Sequence, residues 1–338
     1  MIVDARVLQP EFVPREIVHR DRETREISKV FKPVLEEEPT ESAFLFGPTG
    51  VGKTCVAQFV TDRLQQQLVD LDVQYVNCWE DYTRFKTLYR ILEGIDQSYD
   101  IHRQSTPRDE LVERLREYDG YPYVVILDEV DQLEDTRVLY ELYRVSGLSL
   151  VMIANREEEL FAHLDSRVGS RLQNRVSIKF DRYRNDELVS ILTDRVKWGL
   201  EPGSVNSELL EEIAESACGD ARVALGVLRN AAKAAQEERA DEISAEVVQS
   251  VIPEAKSEIE RSVVERLNED QHVLYDVITN HGTISPGELY EEYQSTVENP
   301  KTKRMMRNYL SKMEHYDLIE VQGATRGRMY SQTSNEKL

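Results

Sequence analysis

Gly47-Pro48-Thr49-Gly50-Val51-Gly52-Lys53-Thr54 follows directly on the apolar run Ala43-Phe44-Leu45-Phe46. The octapeptide fits G-x-x-x-x-G-K-[ST] at every fixed position, in the setting of a buried strand that feeds a glycine-rich turn and then a helix. Glycines in such a turn let backbone N–H groups close around phosphate oxygens, and the helix N-terminus adds positive partial charge. The pattern assigns Lys53 to the β- and γ-phosphates of a nucleoside triphosphate and the Thr54 hydroxyl to Mg²⁺. The backbone from Gly47 through Pro48, Thr49, Gly50, Val51 and Gly52 is expected to wrap the phosphate chain.

Outward from this turn, the chain alternates apolar runs with helical segments. Val73-Gln74-Tyr75-Val76-Asn77-Cys78 reads as a second strand. Tyr123-Val124-Val125-Ile126-Leu127-Asp128-Glu129 is a third, an unbroken apolar run ending in two carboxylates about 75 residues beyond the phosphate turn. Buried parallel strands are continuously hydrophobic, and their C-terminal ends face the ligand crevice. That places Asp128 to hold Mg²⁺, directly or through water, and Glu129 to orient and deprotonate an attacking water. Leu148 to Ala154 is a fourth strand ending at Asn155, whose amide suits a γ-phosphate or lytic water; Val176 to Phe180 completes a parallel α/β sheet.

Beyond Phe180 only helical spacing remains: Leu188, Ile191, Leu192 and Val196; then Leu209, Ile213, Ala214 and Ala217, closed by Gly219. Asp220-Ala221-Arg222 opens an alanine-rich helix through Ala235, with the aspartate in a capping position. After Pro253, Glu254 to Arg261 reads as a connector helix.

The order of these features resembles the AAA+ ATPases. Pro14-Arg15-Glu16-Ile17-Val18-His19-Arg20, Tyr75-Val76-Asn77-Cys78, Leu164-Asp165-Ser166-Arg167-Val168 and Gly219-Asp220-Ala221-Arg222-Val223-Ala224-Leu225 narrow it to the archaeal replication initiators, relatives of origin recognition complex subunit 1 and cell division control protein 6. The resemblance implies an AAA+ P-loop base domain over 1–180, a helical lid over 181–255 and a winged-helix domain over 256–338. It implies that Val18, His19 and Arg20 pack on adenine, that Asn155 is sensor 1, and that Arg222 is sensor 2, reaching the γ-phosphate from the lid. Arg167 and Arg171 occupy the arginine-finger region, which departs from the usual pattern at Ser166 and Gly169. The segment from Asp81 to Leu92, with Arg84, matches an initiator-specific helix that touches DNA in the family.

The C-terminal stretch fits that plan. Helical runs span Leu267 to Ile278, Pro286 to Tyr293 and Thr302 to His315, followed by strand-like Asp317 to Val321, the turn Gly323 to Arg328, and Met329 to Ser331. Three helices and a hairpin make a winged helix, whose third helix can enter the major groove. Over 300–330, Lys301, Lys303, Arg304, Arg307, Lys312, Arg326 and Arg328 face Glu314, Asp317 and Glu320, a local excess of 7 − 3 = +4. Arg326 and Arg328 would suit a wing tip at a minor groove, and Lys301, Lys303 and Arg304 phosphate contacts.

This basic patch sits in an acidic chain of 338 residues with formal net charge −21. Of its 42 basic residues, 12 are lysine and 30 arginine, the balance expected of a halophilic chain. At molar salt the Debye length falls to ~3 Å, so global repulsion from DNA is largely screened. No apolar run approaches the ~20 residues of a membrane span, and Cys55, Cys78 and Cys218 have the spacing of buried side chains in a reducing cytoplasm, not of a disulfide or zinc framework. The expected function is an ATP- and Mg²⁺-dependent ATPase switch that binds double-stranded origin DNA at the nucleoid and, as the resemblance implies, recruits the replicative helicase and meets other initiator copies. The alternatives are a nucleotide-gated DNA-binding regulator or plasmid initiator without helicase loading, and a clamp-loader type machine. Replacing both Arg326 and Arg328 by alanine should weaken duplex DNA binding several-fold and lower its salt dependence; a titration showing unchanged binding removes the wing from the interface.

Overall fold

The computed structural model describes residues 1–35, 42–102, 106–120, 122–157, 176–323 and 327–333. The chain divides into two compact units, Met1–Ile243 and Ser244–Leu338.

Strands β1 (Ala43–Phe46), β2 (Asp72–Asn77), β3 (Tyr123–Asp128), β4 (Leu148–Ala154) and β5 (Val176–Lys179) form one sheet in the order β2-β3-β4-β1-β5. Every pairing is parallel, with Phe46 opposite Ala154 and Asn77 opposite Asp128. β3 and β4 are buried along their whole length, as their unbroken apolar sequence requires. Alternation divides β3 between two cores. Val125 and Leu127 pack with Leu88, Leu92, Leu111 and Leu142 on one face. Val124 and Ile126 pack on the other with Ile27 and Phe31 of the helix-rich N-terminal segment and with Val56 and Val60 of the helix Lys53–Gln67. Helices on both faces of a parallel sheet leave its C-terminal edge as the open crevice.

The remainder of this unit is helical: Asn185–Gly199, Ser207–Ser216 and Ala221–Glu237. Asn206 and Asp220 cap the last two, each side chain accepting a backbone N–H. The first residues of the chain are bound to these helices. Val3 N–H donates to Gly199 O at 2.8 Å, the Met1 ammonium pairs with Glu201 at 2.9 Å, and the buried Arg195 guanidinium donates to Val7 O and Phe12 O. Cys78 is buried, whereas Cys218 is exposed, in the left-handed turn (φ 49°) that precedes Gly219. The expectation of three buried cysteines thus holds fully at Cys78, in part at Cys55, which is half-buried, and fails at Cys218.

In the second unit, helix Ala245–Val264 runs straight through Pro253. The expected connector helix after Pro253 is thus the second half of a longer one. The two compact units meet at Ile243/Ser244, at the start of this helix. An interior proline removes one i→i−4 bond and crowds the carbonyl four residues back, a local cost that this 20-residue helix absorbs. Helices Glu269–His281, Pro286–Thr296 and Lys303–His315 follow, and strands β6 (Thr283–Ile284), β8 (Met329–Gln332) and β7 (Ile319–Gln322) form an antiparallel sheet in that order. This is the element order a winged helix requires. Met306, Tyr309, Leu310 and Met313 give the helix Lys303–His315 its buried stripe, while Lys303, Arg304 and Arg307 are exposed. The Tyr293 hydroxyl accepts from Lys301 N–H at 3.0 Å and donates to Asp270 at 2.5 Å, which pins the approach to that helix.

Candidate nucleotide site

Gly50 and Gly52 adopt φ of 73° and 87°, a backbone that side chains with a Cβ rarely take. Their turn delivers Lys53 to the first position of its helix, where the residue is only 7% exposed. It donates to Gly47 O at 2.7 Å, Pro48 O at 2.6 Å and Asn155 Oδ1 at 3.0 Å. A lysine has three N–H donors, and three oxygens take them. Desolvation lowers the Lys53 pKa to about 8, against the opposing pull of the nearby Glu129 and Asp128 carboxylates.

Asp128 ends β3 and is 5% exposed. Its Oδ2 accepts from Thr54 Oγ1 at 2.7 Å and from the Tyr75 hydroxyl at 2.9 Å, and its Oδ1 accepts from Glu129 N–H at 3.0 Å. Burial raises its pKa above the ordinary carboxylate value, and the hydroxyl donors and Lys53 oppose that rise. A hydroxyl and a carboxylate side by side are hard oxygen donors of the kind Mg²⁺ takes, with water and phosphate completing the shell. Among the described residues no group of three or more His, Cys, Asp or Glu could hold a metal unaided.

Glu129 leaves the strand with φ 57° and ψ 45°. A left-handed non-glycine residue is uncommon and costs about 1–3 kcal/mol. The turn aims its carboxylate at β4, where Oε2 accepts a long contact of 3.4 Å from Asn155 Nδ2. Asn155 is therefore bonded to Lys53 through its oxygen and to Glu129 through its nitrogen, and its backbone carbonyl accepts from Gly47 N–H at 3.2 Å.

The lid segment closes on the same turn. Ala221 N–H donates to Gly50 O at 2.9 Å. A Cβ on Gly50 would lie 1.8 Å from Asp220 Oδ1, so this carboxylate rests directly on the glycine. Asp220 also takes Arg222 at two points, Nε to Oδ1 at 3.3 Å and an Nη to Oδ2 at 2.8 Å. Near the expected adenine segment, Val18 is half-buried and His19 is exposed with φ 60°. Arg20 is turned inward: its guanidinium lies 4.0 Å from the Tyr183 ring centroid and donates to Asp181 O at 2.7 Å.

Lys53, Thr54, Asp128, Glu129 and Asn155 are thus brought together, with Arg222 alongside. Arg84 has a different setting from the one expected. Its side chain is 15% exposed and is bonded to Glu141 at 2.8 and 3.0 Å and to Asp109 at 3.0 Å. In this structure its charge is paired with these two carboxylates. Arg167, Arg171 and Arg326 lie outside the described residues. Lys301, Lys303, Arg304, Arg307 and Arg328 are all exposed in the second unit. Two contacts could not be read from the motifs that contain them, Tyr75-Val76-Asn77-Cys78 and Gly219-Asp220-Ala221-Arg222: the Tyr75 hydroxyl on Asp128, and the Asp220 carboxylate on both Gly50 and Arg222.

A phosphate turn, a strand-end Asp-Glu pair, the Asn155 amide and the nearby Arg222 around a β2-β3-β4-β1-β5 sheet define an AAA+ P-loop ATPase. Comparison with known proteins agrees: residues 37–161 match the AAA domain and residues 189–252 the Cdc6 AAA+ ATPase-type lid domain. The chain is 54% identical over 308 residues to ORC1-type DNA replication protein 1 of Halobacterium salinarum, covering 91% of this chain and 100% of that protein. It is 45% identical over 331 residues to ORC1-type DNA replication protein 9 of the same organism, covering 98% and 94%. Among solved structures it is similar to Aeropyrum pernix ORC1 in complex with DNA, with TM-score 0.75, 29% identity and coverage of 98% and 94%. The chain belongs to the ORC1-type DNA replication protein family.

The contact between Asp220 and the phosphate turn is testable by a double-mutant cycle. In Gly50→Ala the left-handed backbone alone costs about 1–2 kcal/mol, or about tenfold in ATP affinity where binding needs that backbone, and the clash with Asp220 adds to it. Adding Asp220→Ala should recover the clash but not the backbone share. Additive losses in the two single variants would mean that lid and turn are not coupled there.

Proposed function

We propose that this protein is an ATP-dependent replication initiator that binds duplex origin DNA and, when loaded with ATP, recruits the replicative helicase. The observation that carries the reading is the union of two features in a chain that matches ORC1-type relatives nearly end to end. One is the cluster Lys53–Asn155–Glu129 with Thr54–Asp128. The other is the exposed cation row Lys301, Lys303, Arg304 and Arg307, with Arg328.

In the nucleotide site, Lys53 exchanges its carbonyl partners for β- and γ-phosphate oxygens, and the turn from Gly47 to Thr54 wraps the phosphates. Bound Mg²⁺, held through Thr54 and Asp128, would neutralise phosphate charge. Glu129 orients and deprotonates the lytic water, Asn155 fixes Glu129 and the γ-phosphate relative to Lys53, and Arg222 reaches the γ-phosphate once it leaves Asp220. Val18 and His19 border the base. Arg167 or Arg171 would act on a neighbouring copy's ATP. Hydrolysis is slow and serves as a timer, because the general base is held in a strained turn and the lid arginine must exchange partners.

On DNA, Lys301, Lys303 and Arg304 hold phosphates, the helix Lys303–His315 enters the major groove, and Arg326 and Arg328 approach the minor groove. Such contacts release counterions, so binding should weaken steeply as salt rises.

A genome-wide map of the protein's positions in growing cells, made alongside a Glu129→Gln strain, tests this reading. Sharp sites at replication start points are expected. The variant should keep ATP and DNA binding while its hydrolysis falls at least about a hundredfold. Sites confined to promoters, or a Glu129→Gln strain that replicates normally, would instead indicate a nucleotide-gated regulator.

A further inference from the structure

We infer that Tyr75 is a positioning residue of the ATP site, which fixes the Asp128 carboxylate in the orientation that Mg²⁺-nucleotide requires. The inference rests on the proposed nucleotide site and extends it to a side chain outside the phosphate-turn and strand-end motifs.

The geometry begins with register. On the edge strand β2, Tyr75 pairs with Ile126 of β3 and Asn77 pairs with Asp128. Paired residues share a face, so Tyr75 and Asp128 project on the same side, two residues apart along the strands. Ile126 identifies that side as the one covered by the helix Lys53–Gln67, since it packs with Val56 and Val60. Diagonal neighbours on adjacent strands lie about 7–8 Å apart, within reach of a long aromatic side chain. The tyrosine spans this gap and its hydroxyl donates to Asp128 Oδ2 at 2.9 Å.

The effect on Asp128 follows from counting donors. A carboxylate offers about four lone-pair directions. Glu129 N–H takes one on Oδ1, while Thr54 and Tyr75 approach Oδ2. Thr54 belongs to the phosphate-turn helix, and its hydroxyl oxygen is the atom expected to ligate Mg²⁺, so its bond to Asp128 forms part of the metal arrangement itself. Tyr75 instead comes from the sheet, anchored through the β2–β3 ladder. Its bond holds the carboxylate plane whether or not nucleotide is present. Outer partners of this kind typically alter metal affinity or activity by about 10–100-fold when removed.

Tyr75 is 37% exposed, so any packing role of its ring must be separated from hydrogen bonding. Tyr75→Phe does so, because it keeps the ring and deletes only the hydroxyl. Equilibrium ATP binding would be titrated for the wild type and Tyr75→Phe, with MgCl₂ varied and also with EDTA. Thermal unfolding in EDTA would be recorded for both.

The expected result is a Mg²⁺ half-saturation point raised about tenfold in Tyr75→Phe, with ATP affinity in EDTA and the unfolding midpoint close to wild type. Two outcomes overturn the inference: an unchanged Mg²⁺ dependence, or an equal loss of ATP affinity with and without Mg²⁺, which would make the hydroxyl a structural group only. A wild type whose ATP binding ignores Mg²⁺ altogether would be a different failure, that of the nucleotide site as proposed, and the role of Tyr75 would fall with it.

Discussion

A buried ammonium is the constraint from which this site is built. Removing a charge from water is tolerable only when it is paired and hydrogen-bonded. Lys53 is hydrogen-bonded to two carbonyls of its own turn and the Asn155 amide oxygen, and the Glu129 and Asp128 carboxylates supply the opposing charge nearby. Because one acceptor lies at the end of β4 and the others lie just after β1, the bond set works only if β1 and β4 are neighbours in register. The pairing of Phe46 with Ala154 supplies that register. The same lysine is close enough to Asp128 and Glu129 for their charges to act on it, so β3 is tied in as well. The central order β3-β4-β1 and the chemistry of the site are thus one arrangement seen at two scales.

The satisfied state of Lys53 also bears on how the site would respond to a ligand. Its partners are neutral oxygens placed where phosphate oxygens would compete for the same donors. Arg222 is held in a comparable way, by the Asp220 carboxylate that also rests on Gly50. Both cations therefore have internal partners to exchange. On the proposed reading, nucleotide binding is a competition of this type, and the lid registers it because Asp220 and Ala221 touch the phosphate turn directly.

How much of this was legible in the sequence depended on how local the signal was. β1 and β4 were readable to the residue, since buried parallel strands are continuous apolar runs bounded by turn formers. Glu129 could be read as adjacent to β3 but not as left-handed, because no propensity predicts a strained acid. The junction at Pro253 misled: a proline signals a break, yet the helix Ala245–Val264 continues through it. Arg84 was read within a helix that touches DNA in the family, and its pairing with Glu141 was not legible because it crosses 57 residues of sequence. The motifs that contain Tyr75 and Asp220 were readable but their contacts were not, for the same reason: the partners are set by strand order and by where the lid helix begins. The wing was readable as an element order and a charge excess, although the two-residue strand β6 was too short to carry a periodic signal.

The central claim is that the Lys53, Asp128, Asn155 and Arg222 cluster is a site for Mg²⁺-ATP closed by the lid. The most direct measurement is a crystal structure with Mg²⁺ and a non-hydrolysable ATP analogue. The account predicts the β- and γ-phosphates on Lys53, the metal beside Thr54 and Asp128, and Arg222 moved from Asp220 onto the γ-phosphate. An analogue bound elsewhere, or bound in the turn with Arg222 still paired to Asp220, would contradict it.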